Sequence, residues 1–147
     1  MLELAVETDR EAVNRLACQV HAMHVAWRPD IFEMPREMYP PERFREAIAE
    51  RSLYVARLHS AVVGYVSLND SPGLVKRKVL LIDEIAVEET LRGQGIGTEM
   101  MGDVRALAKT LGCTSLQLGV YPQNDAAVAF YQKCGFTVRS LEMQRKL

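Results

Sequence analysis

The stretch Arg92-Gly93-Gln94-Gly95-Ile96-Gly97-Thr98 sets three glycines at alternate positions immediately before a helical pattern. Glycine lets backbone N–H groups approach a ligand with no Cβ in the way. A helix start adds unpaired N–H groups and the positive end of the helix dipole. Together they form an anion site suited to a phosphate or pyrophosphate, with Arg92 as a fixed positive charge at its edge. A Walker loop would require Lys and then Ser or Thr after the last glycine, but Gly97 is followed by Thr98 and Glu99. A dinucleotide fingerprint would require GxGxxG and an acid about twenty residues on, where Leu116, Gln117 and Leu118 stand. Coenzyme A is the third phosphate-bearing ligand the spacing admits. A helix start whose glycines merely relieve crowding remains open beside it.

Other reactive side chains are sparse. Asp83 and Glu84 are adjacent acids in the otherwise apolar run Val79 to Val87. Strand neighbours face opposite sides of a sheet, so regular alternation lets only one of them enter a given cleft. Alternation puts Asp83 on the face of Leu81 and Ile85. Pairing with a nearby Arg or Lys is the structural alternative for both acids. His21 and His24 lie three apart with no acid or Cys to complete a metal set, so they read as surface or packing residues and no metal is expected. Cys18, Cys113 and Cys134 are odd in number and lack CxxC spacing, which argues against a disulfide framework or zinc site. No nucleophile elbow or Ser-His-Asp grouping is apparent.

The elements that must position these groups are legible in outline. Leu2 to Val6 alternates as a strand. Thr8 and Glu11 form a capping box for a helix reaching Trp27, stopped by Pro29. A second helix begins at Pro41 and covers Glu42 to Glu50. Leu53 to Leu58 and Val62 to Leu68 read as strands joined by a turn at His59-Ser60. Asn69 to Gly73 reads as a loop and Val79 to Val87 as a central strand. Ile96, Met100, Val104, Leu107, Ala108 and Leu111 recur at helical spacing, and Gly112 is the stop. Ser115 to Tyr121 is a strand, and Asn124 caps a helix running to Lys133, stopped by Gly135. A last strand begins at Phe136 to Val138 and extends toward Met143. This order predicts one α/β domain over residues 1–147 with a mixed sheet.

Two segments together resemble the GNAT N-acetyltransferase superfamily. Val87 to Gly97 is similar to its acetyl-CoA motif, Arg/Gln-x-x-Gly-x-Gly/Ala after a strand ending in Val. Asn124-Asp125-Ala126-Ala127-Val128-Ala129-Phe130-Tyr131-Gln132-Lys133-Cys134-Gly135-Phe136 resembles its second signature, Asn-x-x-Ala-x-x-Phe-Tyr-x-x-x-Gly-Phe. The resemblance implies a GNAT fold with a mixed central sheet of about six to seven strands flanked by four helices. It implies direct transfer from acetyl-CoA, as co-substrate, to a primary amine in a ternary complex. The cofactor would be held by Ile85, Ala86, Val87, Arg92, Gly93, Gln94, Gly95, Ile96, Gly97, Thr98, Asn124 and Tyr131. Tyr131 would also protonate the departing thiolate. By offset from Val87, Asp83 matches an acid proposed as base in related enzymes, and Glu84 ranks second. Asn124 could contact the pantetheine arm or cap its helix with the same oxygen. Ribosomal-protein acetyltransferases carry a glutamate where Gly119 stands, a departure that weakens a protein N-terminus as substrate. Dimers are common in the family, so a homodimer is admitted.

The acceptor is expected over the segment Trp27 to Glu50. There Trp27, Phe32, Tyr39 and Phe44 accompany Glu33, Glu37, Glu42 and Glu46. Acids beside aromatics suit a cationic amine such as a polyamine or amino-acid derivative. The plainer alternative is aromatics in the core and acids in water. Protein acetylation and a non-catalytic acyl-CoA-binding module are the competing functions. The 18 basic and 19 acidic residues give a net charge of -1, so neither nucleic acid nor an anionic membrane is an expected partner. The acidic start and short apolar runs show no signal peptide or bilayer span, and a reducing cytoplasmic location is expected.

Overall fold

The computed structural model describes residues 1–70 and 78–147. A short strand β1 (Leu2–Leu4) leads into helices α1 (Arg10–Trp27) and α2 (Pro41–Ala49). Strands β2 (Leu53–Leu58), β3 (Ala61–Asp70) and β4 (Val79–Val87) follow. The chain continues through α3 (Ile96–Thr110), β5 (Ser115–Leu118) and α4 (Asp125–Lys133). The sheet order is β1-β2-β3-β4-β5, antiparallel as far as β4 and parallel between β4 and β5. The α/β class, the mixed sheet and the four helices match the sequence expectation.

Local sequence accounts for most of these boundaries. Pro41 takes the first helical position of α2, where its missing N–H costs nothing. His59 and Ser60 both adopt left-handed φ, of 47° and 71°, and make the tight turn whose twist suits a two-residue hairpin. The start of α1 differs from the expected capping box. A short turn, Glu7–Asp9, precedes it, and the Asp9 carboxylate accepts the Val6 N–H at 2.9 Å. Asp9 therefore closes this turn in place of Thr8.

Two apolar layers sandwich the sheet. Val13, Leu16 and Ala17 of α1 and Phe44 of α2 pack on one face with Val55 and Tyr65. Met100, Val104 and Ala108 of α3 pack on the other with Val66, Leu80 and Ile82. Gly64 of β3 permits that second contact. A Cβ there would lie 2.7 Å from the Ala86 carbonyl oxygen and 2.9 Å from the Met100 sulfur. Among the described residues no helix is long and apolar enough to cross a membrane.

Three further expectations change. Asn69 and Asp70 belong to β3, paired with Leu81 and Leu80, while residues 71–73 of the expected loop lie outside the described residues. β5 ends at Leu118 rather than Tyr121, because its ladder with β4 ends at the Ile82–Leu118 pair. The final strand from Phe136 toward Met143 does not form, so the described sheet has five strands, not six or seven. Phe136 packs into the α3-side core, but Val138, Leu141 and Met143 beyond it are 76%, 84% and 91% exposed. With no apolar face buried, nothing drives that segment into the ladder. Side-chain bonds from Arg139 to Gln117 and from Arg28 to Gln144 tether it instead.

Candidate active site

The central feature is an opening between β4 and β5. Their ladder ends at the Ile82–Leu118 pair, yet β4 runs on to Val87, paired there, among the described residues, with β3 alone. The Glu88 N–H bonds the Val63 carbonyl of β3 at 2.8 Å. Alternation along the strand then turns the N–H groups of Ile85 and Val87 away from β3, into the opening. The Val87 carbonyl accepts the Arg92 Nε–H at 3.1 Å. Arg92 is thus folded back onto the strand end rather than extended over the glycine loop.

A β-bulge sits where this opening begins. Ser67 pairs with Glu84 and Leu68 with Ile82, so Asp83 is the extra residue on β4. Bulges shift the facing of every later side chain and re-aim residues at sites. Here Leu80 and Ile82 lie in the α3-side core, whereas Ala86 lies in the core under α1 and α2. In a regular strand all three would share a face. The simple alternation that put Asp83 on the face of Leu81 and Ile85 therefore does not hold across the bulge. Glu84 falls on the α1 and α2 side. Its Oε2 accepts hydrogen bonds from the Tyr39 hydroxyl at 3.1 Å and the Tyr65 hydroxyl at 2.9 Å. Burial, reinforced by the Glu84 charge, pushes both phenol pKa values up, so both stay protonated donors. Asp83 is exposed and bonds the Asn69 side chain.

Both acids border a cavity of about 400 Å³ between α2 and the bulge, together with Arg43, Glu46, Glu50 and Asn69. The Arg43 guanidinium stands 4.9 Å from the Tyr39 ring centroid. The expected acceptor segment divides in two. Tyr39 and Phe44 are core residues, 3% and 0% exposed. Trp27 and Phe32 are half-buried and gather with His24 around Tyr121, just past β5.

The glycine loop leads from the end of β4 into α3. Gly93 and Gly95 are left-handed, with φ of 77° and 89°, and nothing among the described residues lies within 4 Å of where their Cβ atoms would be. The Gly95 carbonyl accepts the N–H groups of Thr98 and Glu99 at 3.0 and 3.1 Å. Among the described residues, the N–H groups of Gln94, Gly95, Ile96 and Gly97 have no acceptor. Open space in front of unpaired donors at a helix start fits a pyrophosphate. Gly97 has a different task, since a Cβ there would stand 3.3 Å from the Phe130 ring where α3 crosses α4.

Asn124 caps α4, its Oδ1 accepting the Ala127 N–H at 3.2 Å. That occupies the oxygen a pantetheine contact would share. Tyr131, on α4, is half-buried between Phe130 and Phe136, and burial raises its pKa. Its hydroxyl has no hydrogen-bond partner among the described residues. Among those residues no group of three His, Cys, Asp or Glu could hold a metal ion.

Several participants were not singled out from sequence. Tyr65 carries no local signal, because its tie to Glu84 depends on the β3–β4 register. Arg15 and Gln19 of α1 both bond Glu88, just past the end of β4. These bonds, Arg15 first, lower the Glu88 pKa. The Glu88 carboxylate is thereby fixed beside the strand end that faces the opening.

Comparison with known proteins agrees with this architecture. The model of the acetyltransferase (GNAT) family matches residues 21–136. An uncharacterized N-acetyltransferase of Methanocaldococcus jannaschii is 34% identical over 89 residues, 59% of this chain and 39% of that protein. A thialysine N-epsilon-acetyltransferase of Bos taurus is 34% identical over 74 residues, 50% of this chain and 44% of that protein. The matched stretch therefore spans less than half the length of either relative. The crystal structure of the tetramutant of the BH1408 protein from Bacillus halodurans superposes with a TM-score of 0.90 at 29% identity, covering 100% of this chain and 99% of that one.

Proposed function

Because this chain belongs to the GNAT acetyltransferase family, we propose that it transfers the acetyl group of acetyl-CoA to a primary amine of a small cationic molecule. The observation that carries the reading is the opening between β4 and β5, with the glycine cradle at one end and Glu84 on its wall. In this reading the free N–H groups of the loop hold the pyrophosphate, and those of Ile85 and Val87 line the pantetheine arm. The Val87 N–H also polarises the thioester carbonyl, supplying the donor that a developing oxyanion needs.

The amine arrives protonated and must lose that proton before it attacks. Glu84, anchored by two phenols beside the opening, is the base we assign, in preference to the exposed Asp83. Attack forms the C–N bond, and collapse of the tetrahedral centre breaks the C–S bond. The Tyr131 hydroxyl gives its proton to the departing sulfur. It is recharged by the second proton the nitrogen sheds. One proton goes to solvent and one ends on the CoA thiol, so the balance closes. Four carboxylates against Arg43 at the cavity favour a cationic acceptor. The thialysine acetyltransferase among the relatives supports a small amine of this kind. We assign residues 1–147 to one catalytic domain.

The test is incubation with acetyl-CoA and a panel of small amines, including diamines, spermidine, thialysine and amino sugars, while free CoA is followed. Turnover with a small cationic amine is expected. Turnover only with peptides would move the acceptor to protein, and CoA binding without turnover on any amine would identify a non-catalytic binding module.

A further inference from the structure

Among the described residues, Arg43 is the one basic side chain that lines the acceptor cavity. It belongs to α2, and the carboxylates of Glu46, Glu50, Asp83 and Glu84 border the same space. Glu46 stands one helical turn on, at the spacing where opposite charges ordinarily pair. Arg43 nevertheless forms no ion pair with it or with any other acid among the described residues. Its guanidinium lies instead 4.9 Å from the Tyr39 ring centroid. Its Nη1 donates to the Met38 carbonyl oxygen at 3.1 Å. The remaining guanidinium N–H donors have no acceptor among the described residues, and the side chain is exposed.

Tyr39 joins this arginine to the reaction centre. Its ring supports the guanidinium, and its hydroxyl donates to Glu84 at 3.1 Å. The ring itself is fixed. It meets Phe44 and Tyr65 edge-on, at 6.2 Å in each case, and the Tyr39 N–H donates to Asn14 Oδ1 at 2.7 Å. The cation and the base therefore stand at a set offset, one at the face and one at the hydroxyl end of a single held phenol. A polyamine in this cavity would leave the guanidinium without a partner and add like charge beside it, which is a cost against that ligand. A carboxylate placed there accepts parallel bonds from the planar fork.

We propose that Arg43 binds a carboxylate of the acceptor, so that the substrate is a small dibasic amino acid rather than a polyamine. The inference rests on the acetyl-transfer reading above. The amine to be acetylated meets Glu84, and the carboxylate of the same molecule meets Arg43. A second amine keeps the acceptor net positive, as the surrounding acids favour. Arg43 takes no part in bond making. It selects the acceptor and orients its amine toward Glu84 before the proton leaves.

Steady-state acetylation of L-lysine and L-ornithine by the full chain is compared with that of cadaverine and putrescine, the same molecules without the carboxylate. We expect the parent to favour the amino acids in kcat/KM by roughly 10- to 100-fold, the effect of a charge-assisted contact. In Arg43→Gln that preference falls toward unity, through KM more than kcat, because the lost contact is made in ground and transition states alike. Arg43→Lys keeps the charge without the fork and retains part of the preference. A purely structural role for Arg43 would instead lower both substrate classes together and leave their ratio as in the parent. That result overturns the carboxylate assignment while acetyl transfer stands, as does a parent that prefers the diamines or acetylates only amines outside both classes. A parent that binds CoA and acetylates no amine overturns both.

Discussion

Glu84 and Asp83 share a cavity, but their surroundings differ sharply. Glu84 is held by two buried phenols, while Asp83 projects from the bulge and bonds an asparagine side chain at the surface. Orientation matters more than proximity for a base, because a proton acceptor must be in place when the bond forms. Glu84→Gln should therefore lower kcat/KM for a small amine by about 10²-fold at neutral pH. Asp83→Asn should stay within about threefold, in line with an exposed side chain that no buried group orients. Steady-state kinetics of both variants, with CoA titrations to show cofactor binding intact, decide the matter. The opposite ranking would place the base on the extra residue of the bulge. The two acids were legible as candidates in the sequence, but the choice between them was not. It turns on the Tyr39 and Tyr65 hydroxyls, which come from separate elements and meet Glu84 only in the folded chain.

At the scale of elements, strong periodicity and strong punctuation were readable. The spans of β2 and β4, the proline start of α2, and the asparagine cap of α4 follow from local residue types. The bulge at Asp83 was not readable, since it is a mismatch between β3 and β4 and neither strand records it alone. The segment after Phe136 looked like a strand by residue type, but its apolar side chains find no face to cover. The glycine loop shows how far sequence goes. Three glycines looked alike, yet Gly93 and Gly95 supply left-handed backbone while Gly97 makes room for Phe130. Gly95→Ala meets no steric obstacle, but holding alanine at φ of 89° costs about 1–2 kcal/mol. The loop should relax and its N–H groups turn, weakening CoA binding by roughly tenfold, the equivalent of 1.4 kcal/mol. Gly102 lies within α3 with open space around it, and Gly102→Ala should stabilise the fold by about 0.5–1 kcal/mol without altering CoA affinity. Calorimetric titration of CoA and urea unfolding of both variants test the contrast. Equal CoA affinity in Gly95→Ala and the parent would detach the loop from the pyrophosphate.

The whole molecule is a sheet with a core on each face, and α1 ties the two ends of that arrangement together. Its first turns are fixed near Asp9, whose carboxylate holds Arg57 of β2 at 2.7 and 2.8 Å. Its last turn meets Tyr121, just past β5, with the His24 and Tyr121 ring centroids 5.5 Å apart. A helix placed by both ends cannot easily withdraw His24 from its half-buried position, so the neutrality of that imidazole is linked to global stability. The sign follows from the direction of the shift. Burial holds the His24 pKa below the ordinary histidine value of about 6.5 in the folded state. Well above that pH the ring is neutral in both states, and its folded position carries no protonation penalty. As pH falls through about 6.5 the unfolded chain binds the proton first, so stability declines until the folded ring is protonated as well. His24→Phe lacks this linkage. Urea unfolding between pH 7.5 and 5 should therefore show the parent losing more stability than His24→Phe over the window that opens near 6.5 and extends downward. His21→Gln should narrow the difference, because the neighbouring imidazole contributes to the shift. If the parent instead gains stability relative to His24→Phe as pH falls, attraction between imidazolium and Glu84 outweighs burial. His24 would then be a charged structural partner of that carboxylate.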